Sequence, residues 1–211
     1  YDIVTKKDGT VFALYSDKTI MKLDVGGNTM DVYASLTTIA GIAANTLCKG
    51  LAVDKSDNLY ALVYVPDAAD LVYKIESSTV ATLYHTLNIC SSFTIANDDE
   101  APCSLDFDSK NNMYVAMNHK GYCIIYVEKD TGTESVIAGK VGSTTASYYI
   151  SGVDGKFSGG KNSAMPPPTH VAIGGQDEIY FNMMNNSIVG IIRPYLSYTF
   201  DHLKGDPGTN G

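Results

Sequence analysis

The residues of this chain with chemistry to offer are few. They are four histidines (His85, His119, His170, His202), four cysteines (Cys48, Cys90, Cys103, Cys123), one acidic run (Asp98-Asp99-Glu100) and a set of Asp/Asn clusters. The clusters are Asp54-Lys55-Ser56-Asp57-Asn58 and Asp108-Ser109-Lys110-Asn111-Asn112. Oxygen-rich clusters can hold calcium, but here each lies between two short apolar stretches. Asp and Asn side chains in that setting accept backbone N–H bonds and tolerate positive φ, so both clusters are expected to be tight turns. None of the cysteines forms a Cys-x-x-Cys pair, which argues against a structural zinc site. A Gly-x-Ser-x-Gly elbow, a phosphate loop and a paired-carboxylate constellation are also missing from the sequence.

The elements that must position these residues announce themselves as a repeat. Leu51-Ala52-Val53-Asp54 runs through a polar tetrad into Leu59-Tyr60-Ala61-Leu62, and Leu105-Asp106-Phe107-Asp108 into Met113-Tyr114-Val115-Ala116. Val171-Ala172-Ile173-Gly174 leads in the same way to Ile179-Tyr180-Phe181, and a weaker first copy leads from Ile3 to Phe12. Two more apolar stretches follow each aromatic, and a step of 23 residues from Tyr60, Tyr114 and Tyr180 reaches Leu83, Ile137 and Leu203. The aromatics Phe12, Tyr60, Tyr114 and Tyr180 stand 48, 54 and 66 residues apart, so the unit is constant and the connections vary. The stretches are rich in Val, Ile, Tyr and Leu and are punctuated by Gly, Asn, Asp and Ser, which are strand and turn signals. Four short strands in a unit of roughly 40–50 residues or more is the pattern of β-propeller blades. The expected fold is therefore all-β, a propeller of about four blades at 1–36, 49–84, 102–139 and 168–204. Residues 205–211 are expected to open a further inter-blade loop or linker.

Bulk properties narrow the class. Of 211 residues, 45% are hydrophobic and 18% charged, as in a globular chain. The net charge of −8 repels nucleic acid and anionic lipid, so neither a nucleic-acid partner nor membrane insertion is expected. With no initiator Met, residue 1 is expected to be a processing boundary.

Three segments carry a family resemblance: Val136-Ile137-Ala138-Gly139-Lys140-Val141-Gly142, Gly152-Val153-Asp154-Gly155, and Ala164-Met165-Pro166-Pro167-Pro168-Thr169-His170-Val171-Ala172-Ile173. With the echo at Ile39-Ala40-Gly41 and the tail 202–208, the chain resembles the NHL-repeat β-propellers along essentially its whole length. The resemblance implies five or six blades where four are counted, so a larger propeller is expected. It says little about function, because propellers host enzymes, sensors and docking platforms alike.

In such a propeller the first strand of each blade lines the channel. The inter-blade loops, here 37–49, 85–102 and 139–169, form the top face. All four cysteines are expected at that face and are candidates for two disulfides, which implies an oxidising compartment. Cys90–Cys103 with Cys48–Cys123, and Cys48–Cys90 with Cys103–Cys123, both remain open, as does a reduced set. Asn185 opens the one N-glycosylation sequon. Only His170 falls near a channel strand, and Gly50, Ser104 and Val4 are read as its equivalents, so no zinc-binding ring of histidines forms. Asp106 is a lone channel acid, with Ala52 and Ala172 at the matching positions. Tyr148 and Tyr149, in the longest top loop, suit a partner contact because tyrosine gives large area at low entropy cost. Asp98, Asp99 and Glu100 form either a solvated tip or a contact for a basic partner. The expected function is a non-catalytic interaction or structural module of an extracellular or secretory-pathway protein. It would need no cofactor or metal, and would bind a protein or glycan partner or assemble with itself. The alternative is a propeller hydrolase or lyase whose metal site is completed by further blades.

Overall fold

The structure is a computed structural model that describes residues 2–16, 18–24, 26, 28–39, 42, 46–65, 68–89, 104–118, 122–139, 168–183 and 188–192. Among the described residues all regular structure is β, arranged as the four blades of a propeller. The first sheet holds β1 (Ile3–Thr5), β2 (Val11–Ser16), β3 (Thr19–Asp24) and β4 (Thr29–Ser35). The second holds β5 (Leu47–Val53), β6 (Leu59–Tyr64), β7 (Asp70–Ile75) and β8 (Ala81–Leu87). The third holds β9 (Ser104–Phe107), β10 (Met113–Met117), β11 (Cys123–Val127) and β12 (Glu134–Gly139). The fourth shows β13 (Pro168–Ile173), β14 (Ile179–Met183) and β15 (Ile188–Ile192). Each sheet is an antiparallel meander in sequence order, and β1, β5, β9 and β13 are neighbours from sheet to sheet.

The turns follow from the Asp/Asn clusters. Asp57 N–H bonds Asp54 O at 3.0 Å and Asn111 N–H bonds Asp108 O at 3.0 Å. Asp57, Asn111 and Asp177 sit at φ 72, 65 and 60°. Each is the third residue of a three-residue hairpin loop, where a left-handed conformation returns the chain to its partner strand. Gly9 holds the same place in the first sheet at φ 85°.

The four sheets stack face to face. One core joins Phe12, Leu14 and Ile20 of the first sheet to Leu51, Leu59, Ala61 and Tyr73 of the second. The next joins Tyr60, Leu62 and Val72 to Leu105, Met113, Val115 and Ile125, and a third joins Tyr114 and Ala116 to Val171 and Ile179. The central strands β6 and β10 are buried on both faces, which is why they read as continuous apolar runs. Each such Leu, Val or Met contributes about 1.5–3 kcal/mol on burial.

Unit boundaries differ from the sequence expectation in detail. The second unit starts at Leu47 and ends at Leu87, because bulges at Cys48/Gly50 and Val72/Tyr73 carry the pairing to Leu47↔Tyr64 and Asp70↔Leu87. Residues 47–49, 85–87, 139 and 168–169 are accordingly strand, not loop. Among the described residues the first strands of the third and fourth units run from Ser104 and Pro168. The expected last strand near 198–203 and the tail 205–211 lie outside the described residues.

Candidate functional site

Two of the turns are held by one carboxylate each. Asp54 Oδ1 accepts the N–H groups of Ser56 (2.8 Å) and Asn58 (2.9 Å), and its Oδ2 accepts Asn58 Nδ2 (2.9 Å) and the Tyr60 hydroxyl (3.1 Å). Asp108 repeats the pattern with Lys110 N–H, Asn112 N–H, Asn112 Nδ2 and the Tyr114 hydroxyl, at 2.8–3.2 Å. Four donors per carboxylate leave little capacity for a cation, so these acids are structural as the sequence implied. Burial, then the adjacent carboxylate, pushes the Tyr60 and Tyr114 phenols far above the usual tyrosine range. The fourth sheet has Gly174 in place of the Asp, and a Cβ there would meet Glu178 Oε2 at 2.7 Å. Glu178 reaches into the vacated space and accepts Gln176 N–H at 3.1 Å.

A second set of bonds runs between sheets. The left-handed residue of each turn reaches back to the turn of the preceding sheet. Asp57 Oδ1 accepts Lys7 N–H (2.9 Å), Asn111 Oδ1 accepts Lys55 N–H (2.8 Å), and Asp177 Oδ1 accepts Ser109 N–H (2.7 Å). Asp177 also takes the Ser109 hydroxyl at 2.6 Å, and these bonds lower its pKa. The sequence showed Asp57 and Asn111 as turn residues but not their reach to a neighbouring sheet. Their identical place in successive copies was the available signal.

The channel is the natural place for a ligand, and β1, β5, β9 and β13 line a cavity there of about 370 Å³. Its polar side chains are Asp2, Thr5, Ser104, Asp106 and His170. Asp106 Oδ1 accepts Phe107 N–H at 2.8 Å and Oδ2 accepts Ile173 N–H of the fourth sheet at 2.7 Å. Burial raises its pKa, with a smaller push from the Asp2 charge, while the two N–H donors oppose the rise. Asp2 Oδ1 accepts Ile3 N–H (2.9 Å) and Oδ2 accepts Leu51 N–H of the second sheet (3.0 Å). Ser104 Oγ accepts Val171 N–H at 3.3 Å and donates to Val171 O at 3.3 Å.

The sheet register corrects one sequence equivalence. The bonds Lys6 N–H to Thr10 O, Asp54 N–H to Asn58 O, Asp108 N–H to Asn112 O and Gly174 N–H to Glu178 O align the four turns. Counting back from them, His170 matches Ser104, Gly50 and Asp2, not Val4. Val4 instead matches Asp106, Ala52 and Ala172. At this His170 position two of the four residues, Asp2 and Ser104, bond the first strand of the next sheet. The sequence reading shifted the first copy by two residues because its apolar stretch is short and polar at both ends.

The outer strands carry one side-chain hydrogen bond that the sequence did not suggest. His85 Nε2 on β8 lies 2.8 Å from Glu134 Oε1 on β12. Glu134 also accepts Asn88 N–H (2.9 Å) and Ile89 N–H (2.6 Å), so it fixes the chain leaving β8. Burial alone would raise its pKa, but the His85 bond and the two N–H donors hold it below the usual glutamate value.

Cys48 and Cys123 are buried in separate inter-sheet cores, Cys48 inside β5 and Cys123 at the start of β11. Cys48 thus lies within a first strand and not on a loop before it, and its sulfur contacts Gly50 O at 3.6 Å. Cys90, Cys103, Asp98, Asp99, Glu100, Tyr148, Tyr149 and Asn185 lie outside the described residues. No group of three or more metal-ligating side chains occurs among the described residues.

No protein-family model and no curated protein matches the sequence. Solved structures do match, as propellers. An auxiliary nutrient binding protein from Bacteroides thetaiotaomicron aligns over 90% of this chain and 47% of its own, at 13% identity and TM-score 0.54. A protein of unknown function from the same organism aligns over 85% of this chain and 41% of its own, at 12% identity and TM-score 0.56. Virginiamycin B lyase from Staphylococcus aureus aligns over 93% of this chain and 56% of its own, at 10% identity and TM-score 0.48. The chain therefore spans about half the length of these structures. The likeness to the two Bacteroides structures supports a β-propeller, a fold that does not by itself imply a function.

Proposed function

We propose that the chain is an NHL-like propeller module of an extracellular or secretory-pathway protein, and that it holds a protein or glycan partner on its top-face loops without catalysing a reaction. One observation carries this reading. Asp2, Ser104 and Asp106, three of the five polar side chains that line the channel cavity, are committed to main-chain groups of their own or the neighbouring strand. Their geometry suits a scaffold, and the units differ in length through the loops that connect them. A double variant, Tyr148→Ala with Tyr149→Ala, is expected to lose retention on an immobilised panel of glycans and peptides while keeping its melting temperature. Retention unchanged by the double variant, or no panel member held above an albumin control, contradicts the reading. Compartment has its own test. Non-reducing peptide mapping of the natural protein is expected to find two disulfides among Cys48, Cys90, Cys103 and Cys123, and four alkylatable thiols would contradict the secretory placement.

A second reading, a hydrolase or lyase completed by further blades, is favoured by the cavity that His170 shares with Asp106. Stoichiometric zinc or calcium in the natural protein, lost on His170→Ala or Asp106→Ala, would support it over the binding module.

A further inference from the structure

Every first strand turns one edge to the channel. The bonds from Lys6 N–H to Thr10 O and from Asp54 N–H to Asn58 O set the alternation of the β1–β2 and β5–β6 ladders. By that alternation the N–H groups of Ile3 and Thr5 on β1, and of Leu51 and Val53 on β5, point away from the second strand and into the channel. Phe107 on β9 and Ile173 on β13 do the same. Twice the chain closes a pair of these donors with one carboxylate. Asp2 bridges Ile3 and Leu51 at 2.9 and 3.0 Å, and Asp106 bridges Phe107 and Ile173 at 2.8 and 2.7 Å. In both cases the two donors hold the same register position on neighbouring first strands.

Thr5 and Val53 are a third such pair. Each stands one residue before its turn, as Phe107 and Ile173 do, and the position that Asp106 fills is here Val4. Valine has no oxygen to offer, and no described residue accepts from Thr5 N–H or Val53 N–H. Both residues line the channel cavity. We propose that the Thr5 and Val53 N–H pair binds the carboxylate of a small organic acid, held as the chain holds its own Asp2 and Asp106. The class of ligand follows from what the chain itself sets on equivalent donors, and N–H bonds to a carboxylate are roughly twice as strong as those to a neutral acceptor. The cavity of about 370 Å³ limits the ligand to a small one. Lys7 and Lys55 follow the pair by two residues on the same two strands, and Lys7 Nζ donates to Lys55 O. That ammonium, at the same junction, offsets the like charges of Asp2 and Asp106. The site lies between two sheets inside the chain, and it stands or falls separately from partner binding on the top-face loops.

The test is a titration of the full chain with sodium acetate at neutral pH, with ionic strength held constant by sodium chloride and amide proton shifts as the readout. The Thr5 and Val53 amide protons are expected to move downfield and to saturate in the millimolar range, while those of Leu51 and Ile173, already bonded, stay in place. Acetamide, the uncharged analogue, should bind at least about tenfold more weakly. Val4→Asp supplies the chain's own carboxylate at the Asp106 position. It should reproduce the downfield shifts with no acetate added, and weaken the response to acetate at least about tenfold. Thr5→Pro removes one of the two donors and, because that N–H lies outside the ladder, keeps the β1–β2 bonds. It should weaken acetate binding by about tenfold. Shifts at Thr5 and Val53 that chloride alone produces, that fail to saturate, or that spread equally to Leu51 and Ile173 would overturn the site. So would acetamide binding as tightly as acetate, or wild-type acetate affinity in folded Val4→Asp or Thr5→Pro.

Discussion

Asp54 and Asp108 show how a motif that looks ready for a cation is filled by its own chain. Each carboxylate meets four donors from within six residues of sequence. Asp108→Ala would strand buried donors, including the Tyr114 hydroxyl, and is expected to lower unfolding free energy by about 2–4 kcal/mol. A urea midpoint within error of wild type would contradict it. The phenols add a signature at high pH. Their folded pKa values lie above the ordinary 10.0, so the neutral form is favoured in the fold. The stability this contributes is complete below pH 10 and is lost as pH rises through the raised values. Absorbance titration should therefore find Tyr60 and Tyr114 ionising only with unfolding; a titration in which every tyrosine ionises near pH 10 while the fold persists would refute this. Two acids act oppositely at low pH. Glu134, held below 4.5, contributes stability that is present above that value and lost as pH falls through its lowered folded value. Asp106, raised above 3.8, binds a proton in the fold before the unfolded chain does, so its contribution is present below 3.8 and lost as pH rises through its raised value. Glu134→Gln should flatten the acid limb of the stability curve below pH 4.5, and an unchanged limb would contradict the His85–Glu134 bridge.

At the scale of the element, much was legible because the repeat makes each strand confirm the others. The recurring aromatic and the Asp/Asn cluster placed the β1–β2, β5–β6, β9–β10 and β13–β14 hairpins. Bulges were not legible, since a bulge is set by how two strands pair and not by either alone. That is why β5 begins at Leu47 with Cys48 in a core. The clasps from Asp57, Asn111 and Asp177 were hidden for a related reason. Their partners Lys7, Lys55 and Ser109 are 50, 56 and 68 residues away in sequence. Asn111→Ala should cost about 1 kcal/mol and speed amide exchange at Lys55 without disturbing the turn of the second sheet. Exchange at Lys55 unchanged from wild type would show that the clasp contributes nothing.

For the molecule as a whole, the sequence disclosed the propeller but placed interest on loops that lie outside the described residues. What the sheets add is a reading of the channel. Three of its polar groups, Asp2, Ser104 and Asp106, fasten neighbouring first strands, and the repeat register that corrected Val4 to Asp2 is what brings Asp2 and Ser104 into one pattern. A channel built this way suits the scaffold reading proposed above. The measurement that bears on this most directly is amide exchange at Ile173 in an Asp106→Ala variant. If Asp106 fastens the third sheet to the fourth, exchange at Ile173 should accelerate at least about tenfold, the equivalent of roughly 1.4 kcal/mol, while exchange within β6 stays as it was. Exchange at Ile173 indistinguishable from wild type would mean that Asp106 is free for other chemistry, and the channel would have to be read as a site and not as a seam.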